Sequence, residues 1–263
     1  MQETSLQILV TNDDGYTSNG IKTIANLLTK YGDVTVIAPQ EAQSGKSASV
    51  TLDLPLRLSN ILEKDYANGH KLRVFSLTGT PVDCVKMAMN IIYKNSKPDI
   101  LVSGINHGSN ASVASVYSGT LGATAEGAIY DIPSIGVSMN SHDPNADMSV
   151  VEQFFPKILE NVIKYPPKKG VYLNINFPDI KPNEVKGIKF AAQGNGMWIK
   201  EVVGQKDPRG TEHFWMCGEF KDLENREIGD HKLLDKGYIT IVPHKIDTTD
   251  YNEIEELSNK WTL

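Results

Sequence analysis

Apolar residues near the start of the chain come in short, partly β-branched runs that alternate with stretches where they recur every three or four positions. Leu6 to Thr11 reads Leu-Gln-Ile-Leu-Val-Thr, the pattern of a strand buried on both faces of a parallel sheet. Ile21, Ile24, Ala25, Leu28 and Tyr31 then share one helical face, and Gly32 stands where a C-terminal glycine cap belongs. Val34 to Ala38 returns to the strand pattern, so the chain opens with a βαβ unit. The alternation continues through a strand at Leu72 to Leu77 and a helix running to about Tyr93, with Thr80 as N-cap, Pro81 at N1 and Asp83 at N3. It goes on with a strand at Ile100 to Ser103, a Ser118-capped helix from Gly119 to about Tyr130, a strand at Ser134 to Met139, a helix at Val150 to Val162 and a strand at Val171 to Phe177. Residues 1–177 are therefore expected to form an α/β core, a Rossmann-like, mostly parallel open sheet with helices on both faces.

The rhythm changes after Phe177. Met197 to Val203 and His213 to Phe220 read as two strands flanking Asp207-Pro208-Arg209-Gly210, a turn suited to a hairpin that projects into solvent or embraces a partner. Gly237 to Pro243 predicts a return strand, and Asp250 to Glu256 begins a polar helix with a solvated charged face. Residues 178–263 are expected to continue the core as one domain.

Composition narrows the function. The 26 Lys and Arg against 32 Asp and Glu give a net charge of −6 over 263 residues, so no positive field draws in a nucleic-acid duplex or an anionic membrane. With 40% hydrophobic and 22% charged residues the chain falls in the folded range. Its longest apolar run is the four residues Phe214 to Cys217, against the about 20 of a membrane span. Met1 to Ser5 lacks the basic start and apolar stretch of a secretory signal. The two cysteines, Cys84 and Cys217, lie far apart in sequence, and a reduced, cytoplasmic setting is the expectation.

Ligands of doubly wound sheets bind beyond the carboxyl ends of the strands. The first strand ends in Thr11-Asn12-Asp13-Asp14-Gly15. Adjacent carboxylates suit a hard divalent cation, and the same residues also serve an Asx turn with a helix cap. At the same sheet edge lies Gly104-Ile105-Asn106-His107-Gly108-Ser109-Asn110, where Asn106 offers a neutral oxygen to a metal and Asn110 a donor to phosphate; His107 reads as a bystander. Ser118, Gly119 and Thr120 open a helix whose N-H groups favour an anion, and Glu126 lies too far along it to cap. Gln43-Ser44-Gly45-Lys46-Ser47 ends like a Walker A motif but has Gln40 where its first glycine belongs. It remains a polar loop able to bring Ser44 toward the Asp pair. No Gly-x-Gly-x-x-Gly follows the first strand, which weighs against a dinucleotide oxidoreductase.

Taken in order, Asn12-Asp13-Asp14-Gly15, Ser44-Gly45-x-Ser47, Gly79-Thr80-Pro81-x-Asp83-Cys84, Ser103-Gly104-Ile105-Asn106-x-Gly108-x-Asn110 and Tyr117-Ser118-Gly119-Thr120 resemble the motifs of the SurE family, the stationary-phase survival 5'/3'-nucleotidases. Asp207-Pro208-Arg209-Gly210 and Gly237-Tyr238 match its later part. The resemblance implies one divalent cation per subunit, Mg²⁺ or Mn²⁺, held by Asp13, Asp14, Ser44 and Asn106. It further implies hydrolysis of nucleoside monophosphates to nucleoside and phosphate, and a homodimer or homotetramer built by exchange of C-terminal segments. Gln43 stands where many members carry a basic residue, and Ser18-Asn19 replaces an Ala-Pro pair, departures that bear on substrate preference and on the first helix cap.

Two carboxylates and two neutral oxygens leave a metal open to water and a phosphate oxygen. Direct attack by the metal-positioned water is the expected chemistry, with Asp13 or Asp14 assisting proton transfer, and Asn110, Ser118, Gly119 and Thr120 around the transferring phosphoryl group. The alternative is a non-catalytic nucleotide-binding regulatory module on the same fold.

Overall fold

A computed structural model describes residues 5–223 and 226–262; Met1 to Thr4, read above for a targeting signal, lie outside the described residues. Its first seven strands are β1 (Leu6–Thr11), β2 (Gly32–Pro39), β3 (Leu58–Asp65), β4 (Lys71–Leu77), β5 (Ile100–His107), β6 (Ser134–Met139) and β7 (Val171–Phe177). Then follow β8 (Ile188–Phe190), β9 (Gly196–Ile199), β10 (Val202–Lys206), β11 (Glu212–Met216), β12 (Glu219–Asp222) and β13 (Ile239–Lys245). The main sheet has nine strands in the order β3-β4-β2-β1-β5-β6-β7-β13-β8. β4, β2, β1, β5, β6 and β7 run parallel; β3 and β13 pair antiparallel with β4 and β7, so the chain after Phe177 returns to extend the same sheet.

The helices are α1 (Asn19–Leu28), α2 (Pro81–Met87), the single turn α3 (Ala114–Tyr117), α4 (Gly119–Ile129), α5 (Ser149–Lys164), α6 (Asp230–Asp235) and α7 (Tyr251–Lys260). Strand β1 shows why the sheet is covered twice. Ile8 and Val10 enter one cluster with Ile21, Ile24 and Leu28 of α1 and Phe155 and Leu159 of α5. Leu9 enters the other with Cys84 and Val85 of α2 and Ala123 of α4. Alternating side chains meet apolar neighbours on both faces, so the strand carries no solvated side. The helix starts follow the sequence: Ser18 Oγ accepts from Ile21 N, which secures the first helix despite the Ser18-Asn19 departure, and Thr80 with Asp83 forms a reciprocal capping box. No helix among the described residues is long and apolar enough to cross a membrane, and Cys84, buried, and Cys217, exposed, are free thiols.

Two expectations are corrected. Gly32 does not cap α1, which ends at Leu28 with Thr29 as C-cap; it is the first residue of β2 and pairs with Leu6. Its glycine is required for closeness, because a Cβ there would meet the Leu6 carbonyl oxygen at 2.1 Å. The hairpin is not one continuous ladder. β9 pairs with β12 and β10 with β11 as separate two-stranded sheets, interrupted at Lys200 and Glu201 on one arm and Cys217 and Gly218 on the other. Lys200 and Gly218 adopt positive φ, 54° and 138°, which turns the chain out of the ladder. On the outer ladder, beside the interruption, Phe214, Trp215 and Met216 are exposed.

Gly32→Ala is expected to lower unfolding stability by about 1–3 kcal/mol, the usual cost of overpacking against a fixed backbone. Urea denaturation of the two proteins measures it.

Candidate active site

The chain leaving β1 makes a tight turn organised by Asn12, whose buried Nδ2 donates to Gly15 O at 3.0 Å and to Ser18 Oγ at 2.9 Å. This turn sets Asp13 and Asp14 side by side at the carboxyl edge of the sheet. Asp13 is only 5% exposed, and its Oδ1 accepts from Thr120 Oγ1 at 2.6 Å. Burial pushes its carboxyl up to about 6; the Thr120 hydroxyl opposes the shift and the neighbouring Asp14 charge adds to it. Asp14 Oδ2 accepts from His107 N at 3.1 Å and lies 3.1 Å from His107 Nδ1. That contact raises the imidazole's pKa, so His107, dismissed by sequence as a bystander, is the direct partner of Asp14.

Three further segments close on this pair. Gln43 N donates to Asp13 O at 2.7 Å, which draws the loop carrying Ser44 over the end of β1. The same loop continues across the start of α4, where Ser47 N donates to Tyr117 O at 3.1 Å and Ser47 Oγ to Val116 O at 2.8 Å. Glycine makes both approaches feasible: a Cβ on Gly119 would stand 2.9 Å from Asp13 Cβ, and one on Gly122 would stand 2.3 Å from Ser47 O. Ser118 caps α4 by accepting from Leu121 N at 3.1 Å, so its own hydroxyl hydrogen remains free to donate. Asn106 sits beside His107 at the end of β5, next to a register shift against β6, and its Nδ2 holds Gly108 O at 2.7 Å.

Asn110 occupies a different part of the rim. Buried over β6 and β7, it donates from Nδ2 to Ser138 Oγ at 2.8 Å and from its backbone to Asn176 Oδ1 at 2.8 Å, and its carbonyl accepts from Asn174 Nδ2 at 2.9 Å. Two residues on, Ser112 is held at φ 55° by a residue that sequence reasoning missed. Asp230, fully buried at the start of α6, accepts from Ser112 N at 3.0 Å, Gly194 N at 2.9 Å and His231 N at 2.8 Å. Its only mark in the sequence is an acid after glycine, which any helix start presents. Glu126 is drawn away from the Asp pair, since it bonds Lys86 Nζ of α2 at 2.5 Å.

The donor set fits a hard cation. Among the described residues neither Asp13 nor Asp14 pairs with a lysine or arginine, and the buried Asn12 Oδ1 has no donor. No group of three His, Cys, Asp or Glu side chains gathers among the described residues. A metal here would draw on two carboxylates and on neutral oxygens, the donor type that hard cations such as magnesium or manganese take.

Comparison with known proteins adds the lineage. The family model described as "Survival protein SurE" matches residues 8–200. The chain is 41% identical over 256 residues, 97% of its own length and 96% of the relative's, to a protein of Christiangramia forsetii named 5'-nucleotidase SurE. A protein of the same name from Flavobacterium johnsoniae is 39% identical over 263 residues, covering 100% of this chain and 99% of that one. The crystal structure of the SurE protein from Aquifex aeolicus superposes with a TM-score of 0.79 at 31% identity, covering 96% of this chain and 98% of that chain. On sequence and on fold alike, the chain belongs to the SurE family.

Proposed function

We propose that the chain is a divalent-metal-dependent phosphomonoester hydrolase that converts nucleoside monophosphates, 5' or 3', to nucleoside and phosphate. The observation that carries this reading is the Asp13–Asp14 pair, one carboxylate buried and without a cationic side chain, facing the N-terminus of α4. The names of the relatives, 5'-nucleotidase SurE, support the substrate class. Asp13, Asp14, Ser44 and Asn106 would hold Mg²⁺ or Mn²⁺. Bound there, the ion supplies Lewis acidity and a water of lowered pKa.

The remaining work falls to side chains and backbone. The N-H groups opening α4, the Ser118 hydroxyl and the Asn110 amide donate to the phosphoryl oxygens, on which negative charge is spread in the transition state. Thr120 fixes the carboxylate of Asp13 rather than standing free for phosphate, since its hydroxyl is already committed at 2.6 Å. Asp13 or Asp14 accepts the proton of the attacking water, and His107 anchors Asp14 for either task.

Chelation should silence hydrolysis of adenosine 5'-monophosphate, and added Mg²⁺ or Mn²⁺ should restore it. Binding of the nucleotide without turnover at any metal would leave the chain a regulatory module. Asp13→Asn should lose turnover and metal binding while folding more stably than the metal-free wild type at neutral pH. The sign follows from a carboxyl raised in the folded state: the folded chain holds its proton longer, so its relative stability is present below 3.8 and lost as pH rises through about 6. The variant escapes that loss, on the order of 3 kcal/mol, as thermal or urea unfolding without metal at pH 4 and pH 7 should show.

Metal and phosphate recognition should separate by residue. Asn110→Ala should keep metal affinity, weaken inhibition by inorganic phosphate and lower kcat/KM by about 10²-fold, as loss of a transition-state donor does. Thr120→Val should instead weaken metal binding by about tenfold or more, because it strips a hydrogen bond from a buried carboxylate. Calorimetry beside steady-state kinetics separates the two patterns.

Self-association belongs to the same proposal, as a homodimer or homotetramer. The exposed Phe214, Trp215 and Met216 on β11 form an apolar stretch of the outer ladder, and a second copy of the chain would cover them. Removal of residues 202–216 should lower the mass in light scattering before it affects the unfolding of the α/β core; a wild-type monomer at micromolar concentration would refute it.

A further inference from the structure

The chain after Phe177 reaches the rim of the crevice through a carboxylate that never meets solvent. Asp230 is fully buried at the start of α6. A carboxylate taken out of water is tolerated where donors surround it, and here they come from three stretches of main chain. Both oxygens accept from Ser112 N at 3.0 Å, and Oδ1 also accepts from Gly194 N at 2.9 Å and from His231 N at 2.8 Å. The 192–194 stretch is tied in a second time, since Asp230 N donates to Ala192 O at 2.9 Å. Glycine is required at 194, where a Cβ would stand 2.1 Å from His231 Nδ1 and 3.2 Å from Asp230 Oδ1. Asp230 therefore joins the loop after β5, the segment that leads into β9 and the first turn of α6.

The loop it grips is the one that carries Asn110. From beneath, Asn176 and Asn174 of β7 hold the N-H and the carbonyl of Asn110 at 2.8 and 2.9 Å. These two contacts fix where Asn110 sits but not how the chain leaves it. Two residues on, Ser112 takes φ 55°, a left-handed conformation that a residue with a side chain keeps only where its surroundings hold it. The hold comes from Asp230, on the N-H of that same residue. A carboxylate suits the task because both of its oxygens accept and neither carries a proton. An amide of the same shape would turn its own N-H groups against one of the three backbone donors.

We propose that Asp230 is a positioning residue for phosphoryl recognition: by holding Ser112 N it sets the turn over residues 110–112, and through that turn the direction in which the Asn110 amide donates. This role rests on the phosphohydrolase reading for what Asn110 meets. It goes further in giving the rim a support 118 residues away in sequence, on the far side of the hairpin. Among the described residues none of the hydrogen bonds of Asp230 reaches Asp13, Asp14, Ser44 or Asn106. Its loss is therefore felt at phosphate and not at the metal.

The test uses the full-length chain and compares wild type, Asp230→Asn, Asn110→Ala and the double variant. Turnover of adenosine 5'-monophosphate is measured with Mg²⁺ present, beside calorimetric binding of Mg²⁺ and of inorganic phosphate. Thermal unfolding checks the fold; Asp230→Ser, which has no amide protons to oppose the backbone donors, replaces Asp230→Asn if that variant does not fold. Asp230→Asn should lower kcat/KM by about tenfold and weaken phosphate binding by a similar factor, while Mg²⁺ affinity stays within about twofold. In the Asn110→Ala background the same substitution should cost no more than about twofold further, because the amide it orients is gone. General damage to the fold would lower both backgrounds alike, so a full tenfold loss in the double variant would overturn the proposal. A matching loss of Mg²⁺ affinity, or phosphate binding that Asn110→Ala leaves unchanged, would overturn it too. If no phosphomonoester is hydrolysed and phosphate binding still shows the shared loss, Asp230 keeps its role and the catalytic reading falls.

Discussion

A carboxylate taken out of water at the end of β1 sets the terms for everything around it. Burial disfavours the charged form of Asp13, and Asp14 beside it makes the cost larger. Each neighbouring element answers that cost with a dipole or a donor rather than a fixed positive charge. Thr120 gives a hydroxyl, α4 presents its N-terminus, and His107 meets the second carboxylate from β5. Among the described residues none of these partners is a lysine or arginine, so the side chains present balance the charge only in part. The small residues of α4 follow from the same demand. With side chains at Gly119 and Gly122 neither the helix nor the loop carrying Ser44 would reach the pair.

Where one physical signal dominated, sequence and structure agree closely. β1, β6 and β7 are foreseen at their observed bounds because both faces are buried and the apolar run has no competing reading. The caps at Thr80 and Ser118 are local chemistry and are equally legible. The misses share a cause. β3 lies at the sheet edge with most of its residues exposed, and β8 has three residues, so neither carries an alternation strong enough to read. Gly32 shows that the same residue type answers to two needs, a left-handed cap or the close passage of another backbone, and only tertiary structure tells them apart.

The site was legible as a list of segments but not as a set of pairings. Sequence placed Asp13, Asp14, Ser44, Asn106, Asn110 and Ser118 to Thr120 at one sheet edge. Only the fold shows that Thr120 serves Asp13 and that His107 serves Asp14. Asp230 was out of reach, since its partners, Ser112 and Gly194, are separated from it by 118 and 36 residues.

That buried aspartate also gives the broken hairpin a mechanical meaning. The inner ladder is clamped to the body of the protein: Phe220 packs edge-on against Trp198 and His231, and His231 adjoins the carboxylate that grips the Asn110 loop. The outer ladder begins beyond the interruption at Lys200 and Gly218 and carries the exposed aromatics. The arm is thus divided like a limb with a wrist. The outer ladder joins the body through the joint at Lys200 and Gly218, whereas the inner ladder is geared through Phe220 and His231 to the loop that Asp230 holds.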